Sequence, residues 1–256
     1  MQKTILLAIL MFTSSIGSNA QTGNLVLIEQ FTETGCGACA QNDSAFNALI
    51  NANTDKVAVI SYHCYYTLDP FYAYNKAGYD RYAFYQMKDG FPSAMVNGKK
   101  PNTNSAHLSY VKEPVINAAY NQPPQFKFNI SCTSTGKGNI HSASINVIAT
   151  ALKANPSQNL RLFVVITENN INYEQRYHSK STNSINEFNH IMRAMLPDTG
   201  NVIGEQTEGK INKVKVIFTN DDKEINFKEV RIIVFVQDYE TREILGTAVT
   251  NDHPFH

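Results

Sequence analysis

The sequence carries no excess charge of either sign. Its 256 residues include 22 Lys and Arg and 22 Asp and Glu, and the basic residues are scattered rather than clustered. Proteins that bind nucleic acid or an anionic membrane surface usually present a concentrated positive patch. The composition therefore favours neither kind of partner, and we expect no nucleic-acid binding.

Apolar runs long enough to cross a membrane are also lacking. A short apolar stretch at residues 5–12 follows Lys3 and leads to a small-residue segment that ends at Ala20. This order is typical of a secretory signal peptide, which we predict at residues 1–20. A membrane-spanning helix needs about 20 apolar residues, and no later segment approaches that length. We therefore expect an exported chain with no transmembrane segment after signal cleavage.

Cysteine is scarce, with four residues in the whole chain. That number is too small for a disulfide scaffold, so hydrophobic cores must hold the fold. Two of the four form a Cys-Gly-Ala-Cys motif at residues 36–39, a spacing shared by redox dithiols, static disulfides and halves of zinc sites. A metal ion would need two further ligands, and His63 and Cys64 are the only candidates nearby. We predict no metal site and no cofactor.

The position of the dithiol favours redox chemistry. Residues 25–32 and 56–64 are apolar, β-rich runs typical of buried strands, and the segment between them has helical apolar spacing. This order predicts a βαβ unit with the dithiol at the start of its helix. Unpaired N–H groups at a helix N-terminus stabilise a thiolate. Cys36 is therefore the predicted nucleophile, and Cys39, one turn further along, the predicted resolving thiol.

The second half of the sequence has a different periodicity. It begins after Pro123 and Pro124, which stop a helix and stiffen a linker. Apolar residues then recur in every second position over several segments, a pattern typical of an antiparallel sandwich of roughly seven strands. Residues 184–196 are predicted to form a helical or irregular crossover, with His190 and Arg193 on one helical face.

A short strand in the first half completes a known order of elements. Gly-Phe-Pro-Ser at residues 90–93 precedes this strand, which ends in an Asn-Gly turn at residues 97–98. Strand, dithiol, helix, strand and this segment together resemble the thioredoxin superfamily over residues 25–120. The resemblance implies a cis bond before Pro92, a catalytic role for Pro92 in orienting substrate, and substrate contacts at Phe91 and Ser93.

These patterns predict an α/β thioredoxin-like domain followed by an all-β, immunoglobulin-like sandwich. The predicted domains are residues 21–121 and residues 124–256, after the signal peptide at residues 1–20. Each segment has about 100 residues or more, which is long enough to bury a core of its own.

Further motifs resemble a narrower group, the thioredoxin-like family named after a twenty-eight-kilodalton outer membrane protein of Gram-negative anaerobes. This resemblance covers most of the chain and implies a location in the periplasm or at the outer membrane. The matching motifs are Glu29-Gln30-Phe31-Thr32, Tyr62-His63, Asp69-Pro70, the tyrosine-rich segment 77–87, Phe188-Asn189-His190 and Arg193-Ala194-Met195-Leu196-Pro197.

The sequence departs from thioredoxins at the position six residues before the first cysteine. Thioredoxins carry a buried Asp there that assists proton transfer, whereas this chain has Gln30 with Glu29 beside it. We therefore name Glu29 as a candidate aid to proton transfer. Cys64 ends the second strand and is either a third redox thiol or a buried thiol that packs as a small apolar residue. Cys132 is expected in the core of the sandwich, either as a free thiol or in a disulfide with Cys64 that would bridge the two domains.

Two functions agree with these features. The first is thiol–disulfide exchange with the thiols or disulfides of envelope proteins, in which Cys36 forms a mixed disulfide and Cys39 resolves it. The second is non-catalytic binding or adhesion at the outer membrane surface, with the dithiol locked as a structural disulfide. The residues between the cysteines do not reveal a redox direction.

Overall fold

The computed structural model describes residues 20–21, 25–64, 69–72, 76–137, 140–177, 179–181, 183–220, 225–250 and 254. The predicted signal peptide lies outside the described residues, apart from Ala20. The helices are α1 (Gly37–Asn51), α2 (Lys76–Phe84), α3 (Glu113–Tyr120) and α4 (Tyr173–Tyr177). The strands are β1 (Ala20–Gln21), β2 (Val26–Thr32), β3 (Val57–His63), β4 (Ser93–Val96), β5 (Phe126–Lys137), β6 (Ile140–Ala151), β7 (Leu160–Glu168), β8 (Ile171–Asn172), β9 (Glu187–Phe188), β10 (Ile191–Met195), β11 (Asn201–Val202), β12 (Ile211–Asn220), β13 (Val230–Asp238) and β14 (Ile244–Thr250). No helix in these ranges is long and apolar enough to span a bilayer.

The first half contains the predicted βαβ unit. Strands β2 and β3 are parallel and buried along their whole length, and α1 connects them. Strand β4 pairs antiparallel with the other side of β2. Long apolar runs suit strands that are covered on both faces, which is why these elements form where the sequence predicts them.

The turn after β4 connects the βαβ unit to residues 242–244, at the start of β14. Asn97 and Gly98 both have positive φ, at 46° and 79°. A Cβ at Gly98 would overlap the carbonyl oxygen of Arg242, so only glycine fits this approach. Asn97 accepts a hydrogen bond from Leu27 N at 2.8 Å, and its carbonyl accepts one from Ile244 N at 3.2 Å.

The sheet does not stop at β3, because β10 joins it from the second half. Strand β10 lies parallel to β3, with Ile191 opposite Ser61, and antiparallel to β7. Within the described residues, the main sheet has nine strands in the order β1-β14-β13-β7-β10-β3-β2-β4, with β11 also paired to β7. The helical alternative for residues 184–196 is therefore wrong, and Arg193 lies on a buried strand.

A second sheet covers part of the first. Strands β5, β6 and β12 form an antiparallel sheet whose alternate residues pack against β7 and β13. The predicted period-two strands are confirmed here. The division into a thioredoxin-like α/β domain and a separate immunoglobulin-like sandwich is not confirmed, because β7, β10, β13 and β14 extend the sheet of β2 and β3.

One hydrophobic core also spans the two halves. Phe31 and Tyr62 from the first half pack in the same cluster as Phe163 and Phe235 from the second. All four side chains are fully buried. The linker at Pro123 and Pro124 is present, but the core crosses it, so the predicted domain limits stay predictions of the sequence alone.

A buried ion pair lies at the centre of this shared core. Glu29 on β2 accepts hydrogen bonds from Arg81 on α2 at 2.7 and 2.8 Å, and both residues are at most 3% exposed. The guanidinium also donates to Gln237 Oε1 on β13 at 2.7 Å. Tyr62 donates to Glu29 at 2.9 Å, and Tyr85 donates to the second carboxylate oxygen. The cluster therefore joins α2 to both halves of the chain.

We predict that Arg81→Ala lowers the free energy of unfolding by about 3–5 kcal/mol, because it leaves the Glu29 carboxylate buried and uncompensated. The measurement is chemical denaturation of the full chain. Lys99→Ala is the matched control, since Lys99 pairs with Glu243 at 2.9 Å on the exposed surface. That variant should lose about 1 kcal/mol or less. Equal losses in the two variants would contradict the central role of the buried pair.

Candidate functional site: the dithiol edge of the sheet

The dithiol begins α1 as predicted. Cys36 is the N-cap residue, and its Sγ accepts a hydrogen bond from Cys39 N at 3.0 Å. The two cysteines form a disulfide, with Cα atoms 5.2 Å apart. The sulfur of Cys36 therefore occupies the positive end of the helix, where a thiolate is stabilised.

Exposure separates the two sulfurs. Cys36 is half-buried, and its neighbours Gly35, Gly37 and Ala38 are exposed. Cys39 is fully buried. An incoming thiol therefore has access to Cys36 and not to Cys39, which agrees with the roles predicted for the two residues.

The segment before β4 lies at the same edge of the sheet. Ser93 pairs with Phe31 of β2, five residues before Cys36, so the start of β4 lies beside the end of β2. The bond between Phe91 and Pro92 is cis, as expected. Pro92 and Ser93 are buried, whereas Phe91 is half-buried and packs on Tyr82 with ring centres 5.2 Å apart.

Part of the backbone edge beside Pro92 is already paired. Leu108 N donates to the Pro92 carbonyl at 3.1 Å, and Ala94 N donates to the Ala106 carbonyl at 2.7 Å. The Ser93 side chain is fully buried. Of the three residues predicted to orient substrate, Phe91 therefore offers the most surface, and the roles of all three stay predictions.

Glu29 lies away from the dithiol helix. Neighbouring residues of a strand point to opposite faces, and here Gln30 faces α1 whereas Glu29 faces α2. Both oxygens of the Glu29 carboxylate are bound by Arg81 and by tyrosine hydroxyls. The structure therefore does not bring this candidate proton-transfer residue to the dithiol.

The remaining two cysteines are free and buried. Cys64 Sγ lies 3.4 Å from the Tyr62 carbonyl oxygen and 3.5 Å from that of Gly78. Burial, with Asp69 and Glu33 nearby, raises the pKa of this thiol well above its ordinary value. Burial also raises the pKa of Cys132 to about 11. Both environments suit apolar packing better than redox chemistry, because the thiolate is the reactive form.

A buried polar pair that the sequence analysis did not assign adjoins the dithiol loop. His63, the last residue of β3, has its Nδ1 2.6 Å from Asp69 Oδ2. Asp69 also accepts hydrogen bonds from the backbone N–H groups of Thr34 at 2.8 Å and Phe71 at 2.9 Å. Burial favours the neutral acid, but His63 and the two N–H groups outweigh it and lower the pKa of Asp69. The pair thus anchors the loop that leads to Cys36.

A second unassigned group is Asp43 on α1. The buried residues of this helix are Cys39, Phe46 and Ile50, and Asp43 falls in the same stripe, four residues after Cys39. Gln30 Nε2 donates to Asp43 Oδ1 at 3.1 Å. Burial raises the pKa of Asp43 to about 6, although His63 and Gln30 act in the opposite direction. The signal in the sequence is a carboxylate within an apolar helical stripe.

The second half of the chain also contacts the dithiol loop directly. Asn183 N donates to the Thr34 carbonyl at 3.2 Å, and Asn183 Nδ2 lies 3.4 Å from the Cys36 carbonyl oxygen. Phe188 and Phe71 pack edge-on to the His63 ring, at 5.9 and 4.9 Å between ring centres. The site is therefore assembled from both halves.

No group of three His, Cys, Asp or Glu side chains suited to hold a metal is present among the described residues.

Comparison with protein families gives an identity to this arrangement. Residues 79–251 match the family described as "Outer membrane protein Omp28", which is more than half of the chain. The chain belongs to the Omp28 family. The narrower resemblance drawn from the sequence is thus confirmed, and with it the expectation of an exported protein associated with the cell envelope.

Solved structures extend the comparison. HBP35 of Porphyromonas gingivalis is 16% identical, with a TM-score of 0.64, and the match covers 89% of this chain and 75% of that one. A protein from Agrobacterium tumefaciens is 16% identical with a TM-score of 0.49, covering 88% and 93% of the two chains. A domain of the outer membrane lipoprotein Omp28 from Porphyromonas gingivalis is 14% identical with a TM-score of 0.29, covering 51% and 91%. No curated protein matches.

The likeness to HBP35 concerns the fold alone. Because it covers most of this Omp28-family chain, it includes strands from both halves. It therefore supports the joined arrangement of the main sheet, and it carries no information about the chemistry of the dithiol.

We predict that, after mild reduction, iodoacetamide labels Cys36 of the folded protein first. Cys39, Cys64 and Cys132 should be labelled slowly, because all three are buried. Mass spectrometry of the labelled peptides gives the order of reaction, and the same experiment in denaturant should label every thiol. Folded Cys36→Ser should take up little label. Faster labelling of Cys39 or Cys64 would show that the assigned roles are wrong.

Proposed function

We propose that this Omp28-family protein exchanges thiols and disulfides with other proteins of the cell envelope. The observation that carries the proposal is the unequal exposure of two bonded sulfurs at a helix N-terminus, with Cys36 accessible and Cys39 buried. Dithiol exchange needs one sulfur that meets the substrate and one that is kept from it.

The exchange has two steps. In the reducing direction, the Cys36 thiolate attacks a substrate disulfide, forms a mixed disulfide and releases one substrate thiolate. Cys39 then loses its proton and attacks Cys36 Sγ, which forms the Cys36–Cys39 bond and releases the second substrate sulfur. The substrate gains two electrons and the dithiol loses two. The oxidising direction reverses both steps, and the proposal covers either direction.

The N-terminus of α1 supplies the electrostatic part of this mechanism. Cys39 N already donates to Cys36 Sγ at 3.0 Å, and the same N–H would stabilise the thiolate in the reduced protein. Phe91, half-buried at the same edge of the sheet, offers a contact for a substrate side chain. Pro92 and Ser93 would position that edge.

A second function rests on the region that the family match covers. That region begins at residue 79, after both cysteines of the dithiol. The matched region runs from α2 through β4 and α3 into the second half, which suits binding or adhesion at the outer membrane with Cys36 and Cys39 as a static disulfide.

The experiment uses the full mature chain, because both halves build the site. We expect catalysed reduction or oxidation of a disulfide-containing protein in glutathione buffer, and complete loss of catalysis in Cys36→Ser. Cys64→Ser is the matched control and should keep at least half of the activity, because its thiol is fully buried against α2. Retention on isolated outer membranes is measured in parallel. Binding without turnover in either direction would replace exchange by the second function.

A further inference from the structure

The exchange mechanism requires a group that accepts the thiol proton of Cys39. Cys39 is fully buried, so water does not reach its thiol directly. Resolution requires the thiolate form, and a buried thiol resists ionisation. A proton-accepting group close to Cys39 is therefore needed, and Glu29 faces the other side of the sheet.

Asp43 is placed to take that proton. It follows Cys39 by four residues on α1, and side chains at this spacing have Cβ atoms about 5–6 Å apart. Both lie in the stripe that faces the sheet. Gln30 on β2 donates a hydrogen bond to the Asp43 carboxylate, and Ser61 Oγ in turn donates to Gln30 Oε1 at 2.7 Å. The bond from Gln30 uses one oxygen of the carboxylate and leaves the other for a proton.

A small polar cavity continues from Asp43. It has a volume of about 20 Å³, which is enough for one water molecule. His63 lines the cavity, and its Nε2 is buried without a hydrogen-bond partner among the described residues. Since Asp69 holds Nδ1, the polar atom left for this cavity is Nε2. A second group able to accept or donate a proton thus lies within the same cavity.

We propose that Asp43 is the proton acceptor of the resolving thiol, with Gln30 as its positioning residue. This inference rests on the proposed exchange function. When the mixed disulfide is resolved, the Cys39 S–H bond breaks and the proton moves to Asp43. The Cys39 thiolate then attacks Cys36 Sγ and displaces the substrate thiolate. In the oxidising direction, Asp43 returns the proton to Cys39 as the disulfide opens.

The charged and titratable surroundings of Asp43 agree with this role. His63 faces it from β3 with Asp69 behind, and the exposed Glu187 lines the cavity from β9. Cys39 is the titratable neighbour on its own helix. Because burial raises its pKa to about 6, Asp43 is ionised at neutral pH yet more basic than an ordinary carboxylate.

In the test, the reduced full chain is mixed with the aromatic disulfide dithiobis-nitrobenzoate, and the release of coloured thiolate is followed over time. Attack by Cys36 releases the first coloured thiolate, and resolution by Cys39 releases the second. At pH 7, Asp43→Asn should slow the second release by about 100-fold, a loss typical of a missing general base. The first release should stay within about twofold, since Cys36 attacks without help from Asp43.

The pH profile separates proton transfer from a structural role. In the unchanged chain, the second release should rise as Asp43 ionises near pH 6. In Asp43→Asn it should rise only with the thiol itself, whose ordinary pKa is about 8.5. Asp43→Glu should restore part of the rate and the lower inflection. Asp80→Asn, which removes an exposed carboxylate on α2, is the matched control and should change neither release.

Stability gives a check on folding. A carboxyl whose pKa is raised by folding destabilises the folded state increasingly as pH rises through that pKa. Asp43→Asn should therefore be at least as stable as the unchanged chain at pH 8. If it folds but keeps the rate and inflection of the second release, Asp43 is not the acceptor, although exchange stands. If the unchanged chain gives neither release, both the exchange function and this inference fail.

Discussion

The buried contact between Glu29 and Arg81 is the interaction on which the rest of the structure depends. An ion pair with both partners out of water is stable only when hydrogen bonds satisfy its remaining polar atoms. Here the partners come from β2, α2 and β13, with Gln237 supplied by the second half. The core on this side of the first half is therefore shared with the second half, and the main sheet continues through β10 into β7.

The sheet that the two halves share also determines where the dithiol lies. Strands β2 and β3 end together at one edge of the sheet, which places Cys36, His63 and the start of β4 side by side. Asn183 then closes on the dithiol loop from the second half. The Omp28-family region and the dithiol loop are thus in direct contact.

Much of the fold around the dithiol was predictable from local sequence, and the predictions that the structure changed differ for physical reasons. The strands and the helix around Cys36 follow from long apolar runs and helical spacing. A strand buried on both faces has no alternation, so the sequence does not reveal that Gln30 and not Glu29 faces α1. Residues 184–196 have apolar spacing that mimics a helix, whereas pairing with β3 and β7 makes Ile191–Met195 a strand. The one sign of Asp43 in the sequence is a carboxylate that interrupts the apolar stripe of α1.

The proposed exchange requires that the bond between Cys36 and Cys39 be a working disulfide rather than a permanent one. Its most direct test is the equilibrium reduction potential of the full chain in glutathione buffers. We predict a value between about −120 and −270 mV, the range of dithiols that exchange with other proteins. A value below about −300 mV, where structural disulfides resist reduction, would contradict it.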